Sequence, residues 1–134
     1  MKNNNQARMM VDNVILSASV RNVNQCIDLA VEKNLGIEVM AFAFPDTLDA
    51  DWQVTLAQYK ELLKPIRGDI TIHGPFMDMV SGSPDQRINA VCVARYSHAI
   101  RIASELGAKQ VVFHANFIGS LHNTFYREGW HSRN

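Results

Sequence analysis

The sequence predicts an α/β protein, a series of βα repeats carried on parallel strands. Short β-branched apolar runs alternate with amphipathic helical stretches along most of the chain. Alternation of that kind implies a parallel sheet with helical crossovers. Two of the runs also end alike. Ile70-Thr71-Ile72-His73 precedes Gly74, and Val111-Val112-Phe113-His114 precedes Ala115. Strand ends converge in parallel α/β folds, so two imidazoles distant in sequence can share one pocket.

The elements follow in order. Residues 14–20 read as the first strand, and Asn22 or Asn24 can cap a helix running to about residue 34. Its apolar stripe is Val23, Cys26, Ile27, Ala30 and Val31. Leu35-Gly36 stops it, and 37–44 is the second strand, ended by Pro45. Asp51 opens a helix with Trp52, Leu56, Tyr59, Leu63 and Ile66 inside, closed by Pro65 and Gly68. Residues 70–74 form the third strand and 75–82 a longer loop. Ser83-Pro84-Asp85-Gln86 then spells a capping box with proline at the first helical position. The following helix carries Ile88, Val91, Cys92, Arg95, Tyr96, Ala99, Ile102, Ala103 and Leu106 at helical spacing up to Gly107. Residues 109–115 are the fourth strand, 116 to about 124 a loop, and 125–134 the start of another helix.

With 134 residues and 47% hydrophobic content, residues 1–134 make one modest domain with a real core. Thirteen basic and thirteen acidic side chains balance, which gives no electrostatic footprint for nucleic acid. Residues 1–12 are polar and Asn-rich, expected to be a flexible arm, and lack the apolar core of a signal peptide. No stretch is long enough to span a bilayer, so the expected location is cytoplasmic. Cys26 and Cys92 sit on apolar helical stripes and read as buried free thiols. No Gly-rich phosphate loop follows the first strand, which leaves a dinucleotide or P-loop function without support.

Strand parity sorts the candidate chemistry. Thr71 and His73 share one face of their strand, and Val112 and His114 share one face of theirs. Glu38 and Met40 share a face of the second strand. If the strands line a common concave side, Glu38, His73 and His114 can all point into it. Neutral imidazole is the commonest transition-metal ligand, so His73 and His114 are candidate ligands for Zn, Mn or a similar ion. The plainer alternative is that each histidine only bonds a loop carbonyl. Glu38 is a candidate catalytic carboxylate; its structural alternative is an ion pair with Arg or Lys, since a carboxylate buried alone is costly. Asp78 and His122, in loops beside the same strand ends, are candidate substrate contacts. His98 reads as surface or helix packing; His131 lies at the start of the last helix, and the plainer alternative for His122 is a solvated loop histidine.

The motifs resemble a known superfamily. Gly36-Ile37-Glu38-Val39, then Ile72-His73-Gly74-Pro75-Phe76, then Ala103-Ser104-Glu105-Leu106-Gly107-Ala108 leading into Val111-Val112-Phe113-His114, resemble the xylose isomerase-like TIM barrels. That group holds sugar and sugar-phosphate isomerases and epimerases together with abasic-site nucleases of the endonuclease IV type. The resemblance implies that this chain is the N-terminal half of a (β/α)8 barrel, because the family has about eight βα units and the sequence supplies four. It implies a divalent metal, Zn, Mn or Mg, and a sugar or sugar phosphate as the small-molecule partner. In the nuclease branch the histidines ending the third and fourth strands are metal ligands, and His73 and His114 match them.

Two departures qualify the match. The nuclease pattern after the third-strand histidine continues into an Asn-Leu stretch, whereas this chain reads Gly74-Pro75-Phe76-Met77-Asp78-Met79. With the balanced charge, that favours the isomerase branch over an abasic-site phosphodiesterase. The carboxylates and later ligands that complete the family site are not in this sequence. A second class of function follows from that: a non-catalytic half-barrel that assembles with a partner chain. A half-barrel leaves its outer strands open, so self-association through sheet edges is the expectation.

Overall fold

Four parallel strands pair in chain order. β1 (Ile15–Ala18) pairs with β2 (Gly36–Val39), β2 with β3 (Ile70–His73), and β3 with β4 (Gln110–Val112). The computed structural model describes residues 14–115 and 122–133. The N-terminal arm and the first part of the loop after residue 115 lie outside the described residues. The register aligns Ser17 with Glu38 and Glu38 with Thr71, then His73 with Val112. Side chains alternate across a strand, so Ser17, Glu38, Thr71 and His73 fall on one side of the sheet.

The other side carries the core. Ala18, Ile37, Val39 and Ile72 are all 0% exposed and cluster with helical residues. Those come from α1 (Val23–Lys33), from α3 (Trp52–Leu62) and from α4 (Gln86–Leu106). Ile27, Ala30, Leu56, Tyr59, Ile102 and Ala103 belong to this cluster. The helices therefore cover one face of the sheet, as expected of right-handed crossovers. Leu16 packs against the core, while Ile15 is 38% exposed, which assigns Ile15 to the opposite, concave side.

Helix ends account for the local boundaries. α1 ends at Asn34 in the left-handed conformation (φ 57°), where asparagine is tolerated, and its N–H reaches the Ala30 carbonyl. α4 ends at Gly107 (φ 74°) in the same way. Asn22 is the cap residue of α1, but its side chain turns backwards and accepts from the Ser19 N–H and hydroxyl. The expected capping box does not form, because the helix begins two residues later, at Gln86, and Pro84 lies outside it. Asp85 is the cap, its carboxylate accepting from the Arg87 N–H at 2.9 Å, and the Ser83 hydroxyl accepts from the Asp85 N–H.

The second strand is shorter than expected. It stops at Val39; Ala41–Ala43 form a 3-10 turn, and a short helix, α2 (Pro45–Asp49), follows. The run Ala41-Phe42-Ala43 is fully buried, with the Phe42 ring 5.8 Å from that of Tyr59 on α3. Apolar character here serves a buried turn rather than a strand. Pro45 opens α2, where a proline lacks no needed donor. The fourth strand likewise ends early, at Val112, and α5 (Thr124–Arg133) closes the chain. Both cysteines are free; Cys92 is buried and Cys26 half-buried. No helix among the described residues is long and apolar enough to cross a membrane.

Candidate functional site

The two histidines that end β3 and follow β4 meet. Their Nε2 atoms are 3.0 Å apart, and the rings cross at 81° with centroids 5.0 Å apart. Strand parity places them on the same side of the sheet, and the backbone draws β3 and β4 together past the ladder. The Gly74 N–H donates to the Val112 carbonyl at 2.8 Å. A Cβ at Gly74 would stand 2.3 Å from Phe113 Cε1, so any larger residue there forces the Phe113 ring to shift.

Glu38 completes a chain of contacts. Its Oε1 lies 2.8 Å from His73 Nδ1, and Ser17 Oγ donates to the same oxygen at 3.4 Å. The glutamate's partner is thus an imidazole rather than the Arg or Lys expected as the structural alternative. Both side chains are mostly shielded, His73 at 14% and Glu38 at 20% exposure. With an ionised carboxylate on Nδ1, the His73 proton resides on Nδ1 and the Nε2 lone pair faces His114. In that arrangement the His114 Nε2–H donates to His73 Nε2.

Aromatic side chains wall the pair. Phe76 stands edge-on to His73 (centroids 5.4 Å, 89°) and lies tilted over His114 (4.8 Å, 31°). Phe44 packs on the back of Phe76 at 5.9 Å. Beyond His114 opens a cleft of ≈ 480 Å³ lined by Ser81, Tyr96, Phe113, His114, Trp130 and His131. The Tyr96 and Phe113 rings meet there at a tilt of 58° with centroids 4.6 Å apart, and burial pushes the Tyr96 phenol above its ordinary value. α5 reaches this region through Arg133, whose Nε donates to the Gly82 carbonyl at 2.7 Å.

The other sequence candidates stay apart from the pair. Asp78 is exposed in the loop between β3 and α4, in a left-handed conformation (φ 56°). His122 is exposed ahead of α5. Neither joins His73 and His114: among the described residues no group of three or more His, Cys, Asp and Glu side chains is placed to hold a metal ion. His98 packs edge-on against Trp52 at 4.8 Å, as helix packing requires. His131 lines the cleft.

Among the described residues His73 and His114 alone offer nitrogens that a transition metal could bridge, two ligands of a full shell. Zn–N bonds of about 2.0–2.1 Å put two ligating nitrogens about 2.9 Å apart at a right angle and about 3.3 Å apart at a tetrahedral one. The observed 3.0 Å falls between, and is equally the length of a hydrogen bond between the two rings. Metal-binding histidines characteristically donate their other ring N–H to a carboxylate, and Glu38 occupies that position on His73. Thr71 adds a polar atom on the same side. It is 4% exposed, with its hydroxyl buried and without a hydrogen-bond partner among the described residues.

No protein-family model matches the chain. No curated protein matches it by sequence. Among solved structures it is similar in fold to the TTHB071 protein from Thermus thermophilus, in crystals soaked with ZnCl2. The superposition has a TM-score of 0.62 at 21% identity and covers 81% of this chain. It covers 41% of that chain, so the present sequence corresponds to about two fifths of its length. At this identity the likeness concerns the fold alone.

Proposed function

We propose that the chain carries part of the site of a metal-dependent sugar or sugar-phosphate isomerase or epimerase, on the N-terminal half of a TIM barrel of the xylose isomerase-like type. The observation that carries the metal reading is the Nε2–Nε2 approach of 3.0 Å with Glu38 on the far nitrogen of His73. His73 and His114 are the metal ligands. The sequential 1-2-3-4 strand order without a switch point supports the barrel assignment. The motif likeness of Gly36-Ile37-Glu38-Val39 and His73-Gly74-Pro75-Phe76 supports the superfamily, and the departure from the nuclease pattern after His73, with the balanced charge, favours the isomerase branch. The same reading puts the protein in the cytoplasm.

A bound divalent ion (Zn, Mn or Mg) supplies Lewis acidity that polarises a carbonyl–hydroxyl pair. Glu38 holds the His73 proton on Nδ1, so that Nε2 stays available as a donor of electrons. That is an orienting task, and it leaves this carboxylate engaged rather than free to abstract a proton. The cleft beside His114 falls within the range of small-molecule sites, about 300–1,000 Å³. Asp78 and His122 are placed in this reading as substrate contacts at the mouth. Two neutral ligands leave most of the coordination shell to water, so affinity in this chain alone is weak.

Calorimetric titration with ZnCl2 and MnCl2 tests the site, zinc first because the fold neighbour was soaked with it. Wild type is expected to bind one ion per chain, weakly, and H73A and H114A are expected to abolish binding. Incubation of aldoses, ketoses and their phosphates in deuterated buffer with metal tests the reaction. Deuterium at the carbon next to the carbonyl is the expected result; metal binding without exchange would leave the second reading. That reading is a half-barrel that works by assembling with a second copy. Among the described residues β1 and β4 are its unpaired edges, and Val14 and Ile15 are 45% and 38% exposed along the first.

A further inference from the structure

The two imidazoles are held by different means. His73 is 14% exposed and anchored by the Glu38 carboxylate on Nδ1. His114 is exposed, and among the described residues its one hydrogen-bond partner is the His73 ring itself. What restrains the His114 ring in addition is the face of Phe76, tilted 31° at 4.8 Å. Phe76 in turn is backed by Phe44 at 5.9 Å and abuts His73 edge-on. The segment His73-Gly74-Pro75-Phe76 folds back on its own strand end, and proline fixes the chain direction at the turn.

We propose that Phe76 is a positioning residue that sets the approach of the two Nε2 atoms by stacking on His114, and so tunes metal affinity. The proposal rests on the metal reading above. A histidine at a strand end without an outer-shell hydrogen bond samples several rotamers. Each alternative rotamer carries Nε2 away from His73, and the ion loses its second ligand. A carboxylate or carbonyl usually fixes a ligating ring by hydrogen bonding. Here a hydrocarbon face does so for His114, and Glu38 does so for His73 only. The aromatic wall also keeps water from one side of the pair, where imidazole–metal contacts strengthen in a drier medium.

The test uses F76L and F76Y beside wild type. Leucine keeps the apolar bulk against Phe44, and tyrosine keeps the ring face. Cobalt(II) chloride is titrated, and its d–d absorption is followed. F76L is expected to bind about tenfold more weakly or worse, the loss typical of removing an outer-shell support. F76Y is expected to bind within about threefold of wild type, on the ordinary tolerance for retaining a ring. Metal-free protein labelled with ¹⁵N in its histidines gives a second readout. His114 should show a fixed Nε2–H tautomer in wild type and F76Y, and averaged ring signals in F76L, with His73 keeping its Nδ1–H tautomer in all three. A wild type that binds no cobalt overturns the metal reading and this inference with it. Equal cobalt affinity in F76L and wild type overturns this inference alone, whatever the ring signals show.

Discussion

Removing the Glu38 carboxylate separates its structural task from its chemical one. The Glu38–His73 contact is a 2.8 Å charge-assisted hydrogen bond between two side chains at 20% and 14% exposure. Hydrogen bonds to charged groups are worth about 1.5–3 kcal/mol, and an orphaned buried donor costs about 1–3 kcal/mol. Residual water access at these exposures discounts the lower limit little and the upper limit substantially. E38A should therefore lose about 1–2 kcal/mol, or roughly 3–8 °C in melting temperature for a domain of this size. E38Q retains an amide oxygen that still accepts from Nδ1–H and should lose less than half as much. The amide can also turn and donate to Nδ1, which transfers the ring proton to Nε2 and blocks it as a ligand. Both variants should bind zinc about tenfold more weakly or worse. Thermal denaturation and zinc calorimetry, run on the same preparations, decide the matter. E38A melting with wild type and E38Q binding zinc like wild type would refute the whole account of Glu38.

Other perturbations test the surroundings. T71V replaces a buried hydroxyl that has no partner with a near-isosteric methyl, and should leave stability unchanged or raise it by about 1 kcal/mol in chemical denaturation; a clear loss would mean that the hydroxyl is hydrogen-bonded in solution. His98 packs on Trp52, and its pKa is lowered by burial first, then by Arg101 and Arg95, with Asp49 opposing. A lowered folded value means that the unfolded chain takes up the proton more readily. Stability is then full above the ordinary imidazole value of about 6.5 and falls as pH drops through it. H98F should remove that part of the acid sensitivity in melts between pH 7 and pH 5, and unchanged sensitivity would overturn the assignment. Among the described residues β1 and β4 are paired on one side only, and these edges should drive self-association at micromolar concentration, seen by light scattering; a monodisperse monomer with a cooperative melt would exclude pairing through the edges.

Much of the fold was legible because its signals are local. Val111 and Phe113 face the helices while Val112 and His114 face away, a parity readable from the strand alone. Parity also brought Glu38 and the two histidines to one side. It could not supply their contacts, which depend on register. Glu38 aligns with Thr71, and only that offset makes His73 the diagonal neighbour within reach of its carboxylate. The stretch after Val39 misled for the opposite reason. Met40 to Phe44 is apolar and continuous, as a strand would be, but Phe42 is buried against Tyr59 in a turn that tertiary packing selects. Phe76 gave no periodic signal, because it lies in a loop whose path is set by Gly74 and Pro75.

That path explains why the placement of the two histidines depends on one packing contact. Gly74 lets the end of β3 close on Phe113, with no room for even a Cβ between them. Phe113 is held from its other side by Tyr96 of α4 at 4.6 Å. His114 is the next residue along, so the packing that fixes Phe113 also fixes the backbone from which the His114 side chain leaves. Phe76, two residues past Gly74, then covers the His114 ring. The end of β3 therefore supplies one imidazole directly and constrains the other twice, through the Phe113 backbone and the Phe76 face. Imidazole spacing here is a property of the Gly74–Phe113 contact as much as of the histidines. A change at either residue of that contact displaces His114 without altering its chemistry.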